Sequence, residues 1–181
     1  VSPPSQAPVP QEPEERVGTF SPIDVKTDHV RGDANAKVTI LEYSDTECPY
    51  CKTFHETMHM VINEFGAAGK VAWVYRHFPL EIIHKKAGKE AEATECANEL
   101  GGNNAFWKYT DAIMERTTSG GTGFALDALV PLAKELGLNE SEFKNSLDSG
   151  KYVAHIQQDI AGGESAGTKG PASFLVGKDG K

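Results

Sequence analysis

An α/β fold with a parallel strand pair and a helical insertion is predicted by three observations. Two β-branched and aromatic runs, "AKVTILEYS" (36–44) and "KVAWVYRHF" (70–78), flank a single amphipathic run. A long stretch with helical patterning follows, from about Ile83 to Ile160, and a strand pattern returns at "SFLV" (173–176). No internal repeat is visible.

The first run has apolar residues on both faces, at Val38, Ile40, Leu41 and Tyr43, as a strand covered on both sides requires. Phe54, Met58, Val61, Ile62 and Phe65 then fall on one face of a helix that stops at Gly66. The second strand ends before Pro79, and strand, helix and strand make a right-handed βαβ unit. Within the helical stretch, "AEATECANEL" offers Ala93, Cys96, Ala97 and Leu100, and "AFWKYTDAIMER" offers Phe106, Thr110, Ile113 and Met114. "FALDALVPLAKELGL" reads as a helix kinked or restarted at Pro131, and Asn139 with Glu142 reads as a cap. "KYVAHIQQDIAGG" closes the set.

The chain of 181 residues, 39% hydrophobic and 24% charged, is long enough for one domain with a sizeable core. A net charge of -8 argues against nucleic acid or an anionic membrane as the main partner, because both reward clustered Lys and Arg. Three cysteines are too few for a disulfide scaffold. The first twenty residues hold five of the ten prolines and read as a disordered tether, either what would remain after removal of a signal or membrane anchor or an ordinary linker scar. No run of 18 apolar residues occurs, so nothing here reads as a bilayer span. The expected organisation is a tether (1–20), the first part of the fold with the cysteines (21–82), a helical insertion (83–161) and the last part of the fold (162–181).

Cys48 and Cys51 sit two residues apart where the first strand gives way to the helix. Pro49 suits the first helical turn, where its missing N–H costs nothing, so Cys48 is placed at the cap and Cys51 one turn in. Unpaired N–H groups and the macrodipole at a helix start stabilise a thiolate, and Cys48 is the nearer of the two. A free thiol of pKa about 8.5 is only slightly ionised at neutral pH, whereas helix-start cysteines reach values of about 4. Such a cysteine attacks disulfides and departs easily when attacked. Two other readings compete. Cys48, Cys51, His55 and Cys96 contain a CxxCxxxH spacing and four possible zinc ligands, giving a metal-stabilised binding module without turnover. A plain disulfide is the third. The helix-start position favours the redox pair; His55 is assigned to packing or solvent, and Cys96 to the core.

Together "EYSDTECPYCKTFH", "VYRHFPL" with His84 after it, "ECANELGGNNAFWKY" and "GTKGPASFLV" resemble the DsbA-like thiol-disulfide oxidoreductases, over about residues 25 to 181 and in the family's order. The resemblance implies a thioredoxin-like fold with an inserted helical subdomain, Cys48 as the attacking cysteine, Cys51 as the resolving one, and Pro171 as a cis-proline facing them. It implies that Glu42 is the buried acid beneath the disulfide, with Pro49, Tyr50 and Gly170 shaping the site. It further implies an extracytoplasmic enzyme that needs no metal or organic cofactor, donates its disulfide to reduced substrate proteins, and is reoxidised by a membrane-bound partner. Reductase and isomerase activities share the fold, and Pro49-Tyr50 matches glutaredoxins, which lack such an insertion.

Three features depart from the family. Gly170 stands where Thr or Val usually precedes the proline. Ser146 stands near a cysteine position that would partner Cys96. The chain ends at Lys181, inside the turn after the last strand, where the family fold continues with a strand and a closing helix.

Overall fold

The computed structural model describes residues 19–118 and 122–177. The Pro-rich tether, apart from its last two residues, and the glycine-rich end after 177 lie outside the described residues.

Four strands form one sheet in the order β1-β3-β2-β4. Its centre is the expected βαβ unit: β2 (Val38–Ser44) runs parallel to β3 (Val71–His77), in register from Val38 opposite Val71 to Ser44 opposite His77. The crossover is α1 (Pro49–Val61), extended by one wider helical turn, Ile62–Gly66. Sequence reasoning passed over β1 (His29–Gly32), which pairs antiparallel with β3. On the opposite side β4 (Ala172–Gly177) pairs antiparallel with β2.

Both sheet faces are covered, which explains the apolar residues on both sides of β2 and β3. On one face Met58 and Cys51 of α1 pack with Trp73, Tyr75, Phe106 and Trp107. On the other, Leu41, Tyr43 and Val74 pack with Phe78, Val176 and Ile160. The helical insertion has a core of its own, in which Cys96, Tyr109, Ile113, Leu132 and Phe143 are buried together.

The insertion begins later than its sequence suggests. Residues 81–86 form turns, and α2 starts only at Ala87. The reason is local competition: the Leu80 N–H and the His84 ring are both bound to Asp45 Oδ2, at 2.7 and 2.8 Å, so this segment is held by side-chain bonds. α2 (Ala87–Arg116) is two helices in one, broken at Gly102, where φ is 68° and ψ is -172°. The break re-aims the chain, so that Phe106 and Met114 reach the core under the sheet while Ile113 joins Ala93, Cys96 and Ala97 in the core of the insertion.

A short 3-10 turn, Leu126–Ala128, leads into α3 (Leu129–Glu135). Pro131 is the third residue of α3, where no helical donor is needed, so the helix restarts there rather than kinking. α4 (Glu140–Ser149) is capped as expected, the Asn139 side-chain oxygen accepting from the N–H groups of Ser141 and Glu142 at 3.1 Å each. α5 (Val153–Ser165) returns the chain to the sheet. Among the described residues no helix is long and apolar enough to cross a membrane.

Gly102 offers a clean test of the break. A Cβ there would meet nothing within 4 Å, so only the backbone objects to a side chain. Gly102→Ala is expected to lower stability by roughly 1–3 kcal/mol, the cost of a non-glycine residue in this region of φ/ψ space. Urea unfolding measures it, and an unchanged midpoint would show that the break is not held in this form.

Candidate active site

Cys48 is the N-cap of α1, with extended backbone (φ -77°, ψ 123°) and Pro49 behind it in the first turn. Its N–H donates to Asp45 O and its own carbonyl accepts from Lys52 N–H, each at 3.1 Å, so the cap is fixed from both sides. Cys51 lies one turn in, buried against Trp73 and Tyr75, and the two cysteines are 3.5 Å apart. The thiols are unequal in surroundings. Burial, with the nearby Cys48 and Glu42 charges adding to it, pushes the Cys51 thiol far above the ordinary range.

A cleft of about 250 Å3 opens beside the pair, lined by Glu42, Tyr43, Tyr50, Cys51, Phe54, Pro171, Ala172 and Ser173. It brings together Cys51, Tyr50, Pro171 and Glu42, four residues singled out from sequence. Tyr50 is 84% exposed and stands at the rim, available to a docking chain. Gly170 is partly buried, and a Cβ on it would stop 3.9 Å from the Leu80 side chain, so its missing side chain leaves open space. A larger hollow of about 580 Å3, lined by Phe20, Val25, Ala36 and Val176 among others, carries no titratable or nucleophilic group.

The expected cis-proline is corrected by the structure: no described peptide bond is cis, and Gly170–Pro171 is trans. An X-Pro bond prefers trans by about 0.5–1 kcal/mol. Gly170 and Pro171 are only partly buried, without the enclosing packing that would impose the rarer isomer. Pro171 nonetheless lines the cleft with Cys51.

Glu42, in the middle of β2, is fully enclosed beneath this cleft. Its Oε2 accepts the Trp73 indole N–H at 2.8 Å, and Oε1 is buried without a hydrogen-bond partner. Burial therefore raises its pKa to about 7, the Trp73 bond recovering only part of the cost of burying the charge.

Three residues ahead of Cys48 escaped sequence reasoning although they hold the site. Asp45 accepts from Glu47 N–H at 2.8 Å with one oxygen and from Leu80 N–H and His84 with the other. Thr46 donates to Glu90 Oε2 at 2.5 Å, and Glu90 Oε1 accepts from Phe124 N–H at 3.0 Å. Glu47, fully buried, accepts from Lys86 N–H at 3.0 Å. Gly123 packs so closely on Glu47 that a Cβ would fall 1.8 Å from its carboxylate. Burial raises Glu90 to about 7, with the Glu47 charge adding to it. The only available signal was the run of polar residues in a segment otherwise bounded by apolar ones.

The zinc ligand set is not assembled. His55 turns its Nε2 to Asp111 Oδ1 at 2.8 Å, beside Arg31, which binds Asp111 Oδ2 at 2.7 Å. Of the two expectations for His55, packing or solvent, the structure shows burial, in an ion-pair cluster rather than in plain packing. Cys96 sits in the insertion core with Ser146 Oγ 3.1 Å from its sulfur, and burial raises its thiol to about 11. Ser146 thus does face Cys96, and its hydroxyl also lies 2.5 Å from Glu99.

The Glu42 environment predicts a pH dependence. A carboxyl whose folded pKa stands near 7 while its unfolded pKa is near 4.5 binds an extra proton in the folded state between those values. Stability is full below about 4.5 and falls as pH rises through 7, by on the order of 3 kcal/mol. Glu42→Gln keeps an acceptor for Trp73 and removes the titration. Its urea midpoint is expected to exceed the parent's at pH 8 and to match it at pH 4; equal midpoints at pH 8 would contradict the assignment.

Residues 24–179 match the sequence model of the family described as Thioredoxin. Among curated proteins the chain is 32% identical over 155 residues to Na(+)/H(+) antiporter NhaA 1 of Salinispora arenicola (strain CNS-205), covering 86% of this chain and 22% of the antiporter. It is 30% identical to Na(+)/H(+) antiporter NhaA of Herminiimonas arsenicoxydans, with 86% and 23% covered. The chain thus spans about a fifth of the length of these curated relatives. Among solved structures, DsbA2 of Pseudomonas aeruginosa is similar at 28% identity and a TM-score of 0.71, with 85% of this chain and 83% of that chain covered. Oxidised BdbD of Bacillus subtilis is similar in fold at 21% identity and a TM-score of 0.72, with 87% and 86% covered. The chain belongs to the thioredoxin family, and its fold, with helices inserted after the βαβ unit that carries the cysteines, is that of the DsbA-like oxidoreductases.

Proposed function

We propose that this chain is a thiol-disulfide oxidoreductase that donates a Cys48–Cys51 disulfide to reduced proteins folding outside the cytoplasm. The observation that carries the reading is the placing of two buried cysteines 3.5 Å apart at the start of α1, one at the cap and one a turn further in. The names of the curated relatives describe antiporters of which this chain matches about a fifth, so the reading rests on the cysteine pair instead.

A substrate thiolate attacks Cys48 Sγ, the Cys48–Cys51 bond breaks, and its electron pair passes to Cys51. Cys51 then needs a proton, because its buried surroundings disfavour a thiolate. Glu42 lines the same cleft and titrates near neutrality, so it suits the transfer of that proton. A second substrate thiolate attacks the substrate sulfur of the mixed disulfide and releases Cys48. Two electrons have moved from substrate to enzyme, and a membrane-bound partner returns the pair to the disulfide. The exposed Tyr50 ring and the open space at Gly170 support a cleft that admits varied unfolded chains.

Trapping tests the order of attack. With Cys51→Ala, a peptide whose single cysteine is activated as a disulfide to a good leaving thiol is expected to accumulate as a mixed disulfide on Cys48 as that thiol departs, seen as one added peptide mass per chain. Cys48→Ala with Cys51 intact should trap little. Trapping of similar extent on both variants would reverse or abolish the assigned roles.

A further inference from the structure

At the far side of β3 from β2, three imidazoles converge on one oxygen. His29 of β1, His77 of β3 and His155 of α5 point Nε2 at Oε1 of Glu95 on α2, at distances of 2.7, 2.9 and 3.5 Å. The four residues come from four elements, and no cysteine is among them. His29, His77 and Glu95 are buried, while the His155 side chain is one-third exposed.

A carboxylate oxygen offers two lone pairs, so three N–H donors are more than it can serve. The crowding suits a different occupant. Tetrahedral zinc, with bonds of about 2.0–2.1 Å, sets its ligand atoms roughly 3.3 Å apart, and the His29 and His155 nitrogens stand 2.7 and 3.5 Å from Glu95 Oε1. The ligand atoms of His29, His155 and Glu95 all lie within 4.8 Å of one another, and His77 stands outside this group as a hydrogen-bond partner of Glu95. The rings are held in place in advance: His29 stacks on Phe106 with centroids 3.4 Å apart and planes 8° apart, and His77 meets Phe106 and Tyr75 edge-on. Imidazole-rich sets of this kind favour zinc and its neighbours over calcium or magnesium.

Access and surroundings fit as well. A cleft of about 240 Å3 reaches His155 and Asp159 from solvent. Asp159 Oδ2 accepts from the His77 backbone N–H at 2.9 Å and stands 4.0 Å from His155 Nε2, adding negative charge beside the cluster. The one arginine on this cleft, Arg76, is held by both oxygens of Asp28 at 2.7 and 2.9 Å. The second histidine cluster lacks this freedom: Arg31 already occupies Asp111 and contacts His59 at 2.9 Å.

We propose that His29, His155 and Glu95 bind one zinc-class divalent cation with a fourth position left to solvent, which clamps α2 and α5 onto β1, while His77 holds the Glu95 carboxylate in place. The test uses the full chain with Cys48, Cys51 and Cys96 replaced by serine, stripped with chelator and titrated with cobalt(II) and then zinc(II). The expected result is one cobalt per chain with a tetrahedral visible spectrum free of thiolate charge transfer, displaced by zinc, together with a raised thermal midpoint. His155→Ala and His155→Gln should each weaken uptake by at least about tenfold while the far-ultraviolet circular dichroism stays unchanged. Glutamine keeps a hydrogen-bond donor for Glu95, so it covers the case in which alanine disturbs folding. Failure to take up stoichiometric metal, an octahedral spectrum, or equal uptake by the glutamine variant would overturn the proposal.

Discussion

The active-site turn is anchored by buried charge. Asp45, Thr46 and Glu47 carry their polar groups into the interior directly ahead of Cys48, and their partners lie in the 80–90 segment, where Glu90 in turn accepts from Phe124 N–H. A buried carboxylate without partners costs several kcal/mol, so the loop can close only when the insertion is folded against it. Catalytic turn and insertion are therefore one cooperative unit. The insertion serves as the wall that fixes the Cys48 cap, and Lys52 of α1 adds to this by capping α2 through the carbonyls of Glu115 and Thr117 at 2.8 and 2.9 Å.

Enclosure by acids has a chemical consequence. Glu42 below the pair and Glu90 behind the turn both titrate near 7 because burial opposes their charge, and Cys51 is held protonated by the same cause. Protons are thus stored close to where a thiolate departs. Cys48, at the helix start, is the less enclosed of the two, at 8% exposure against 4% for Cys51. The asymmetry comes from position in the helix, and the acids strengthen it.

Legibility in the sequence followed the range of the forces involved. β2, β3, α1 and the Asn139 cap rest on periodicity or on contacts within a few residues, and all were readable. β1 was not: its four residues, "HVRG", include two polar side chains and become a strand only through pairing with β3. Nor could the sequence show that Glu42 meets Trp73, that Thr46 meets Glu90 or that His29 meets Glu95, since these partners are 31, 44 and 66 residues apart. Glu42 was reached only through family resemblance, which also brought the expectation of a cis-proline that this structure does not hold. The start of α2 was placed too early because Ile82 and Ile83 read as helical, whereas both are exposed in a turn shaped by Asp45.

Disulfide donation requires that the reduced pair be the favoured state, so that the disulfide readily accepts electrons. The most direct test is equilibration of the Cys48–Cys51 pair against glutathione buffers with the oxidised fraction followed. A reduction potential above about -200 mV is predicted, in the range of disulfide donors. A value near the roughly -270 mV of thioredoxin would contradict disulfide donation and leave a reductase on the same fold.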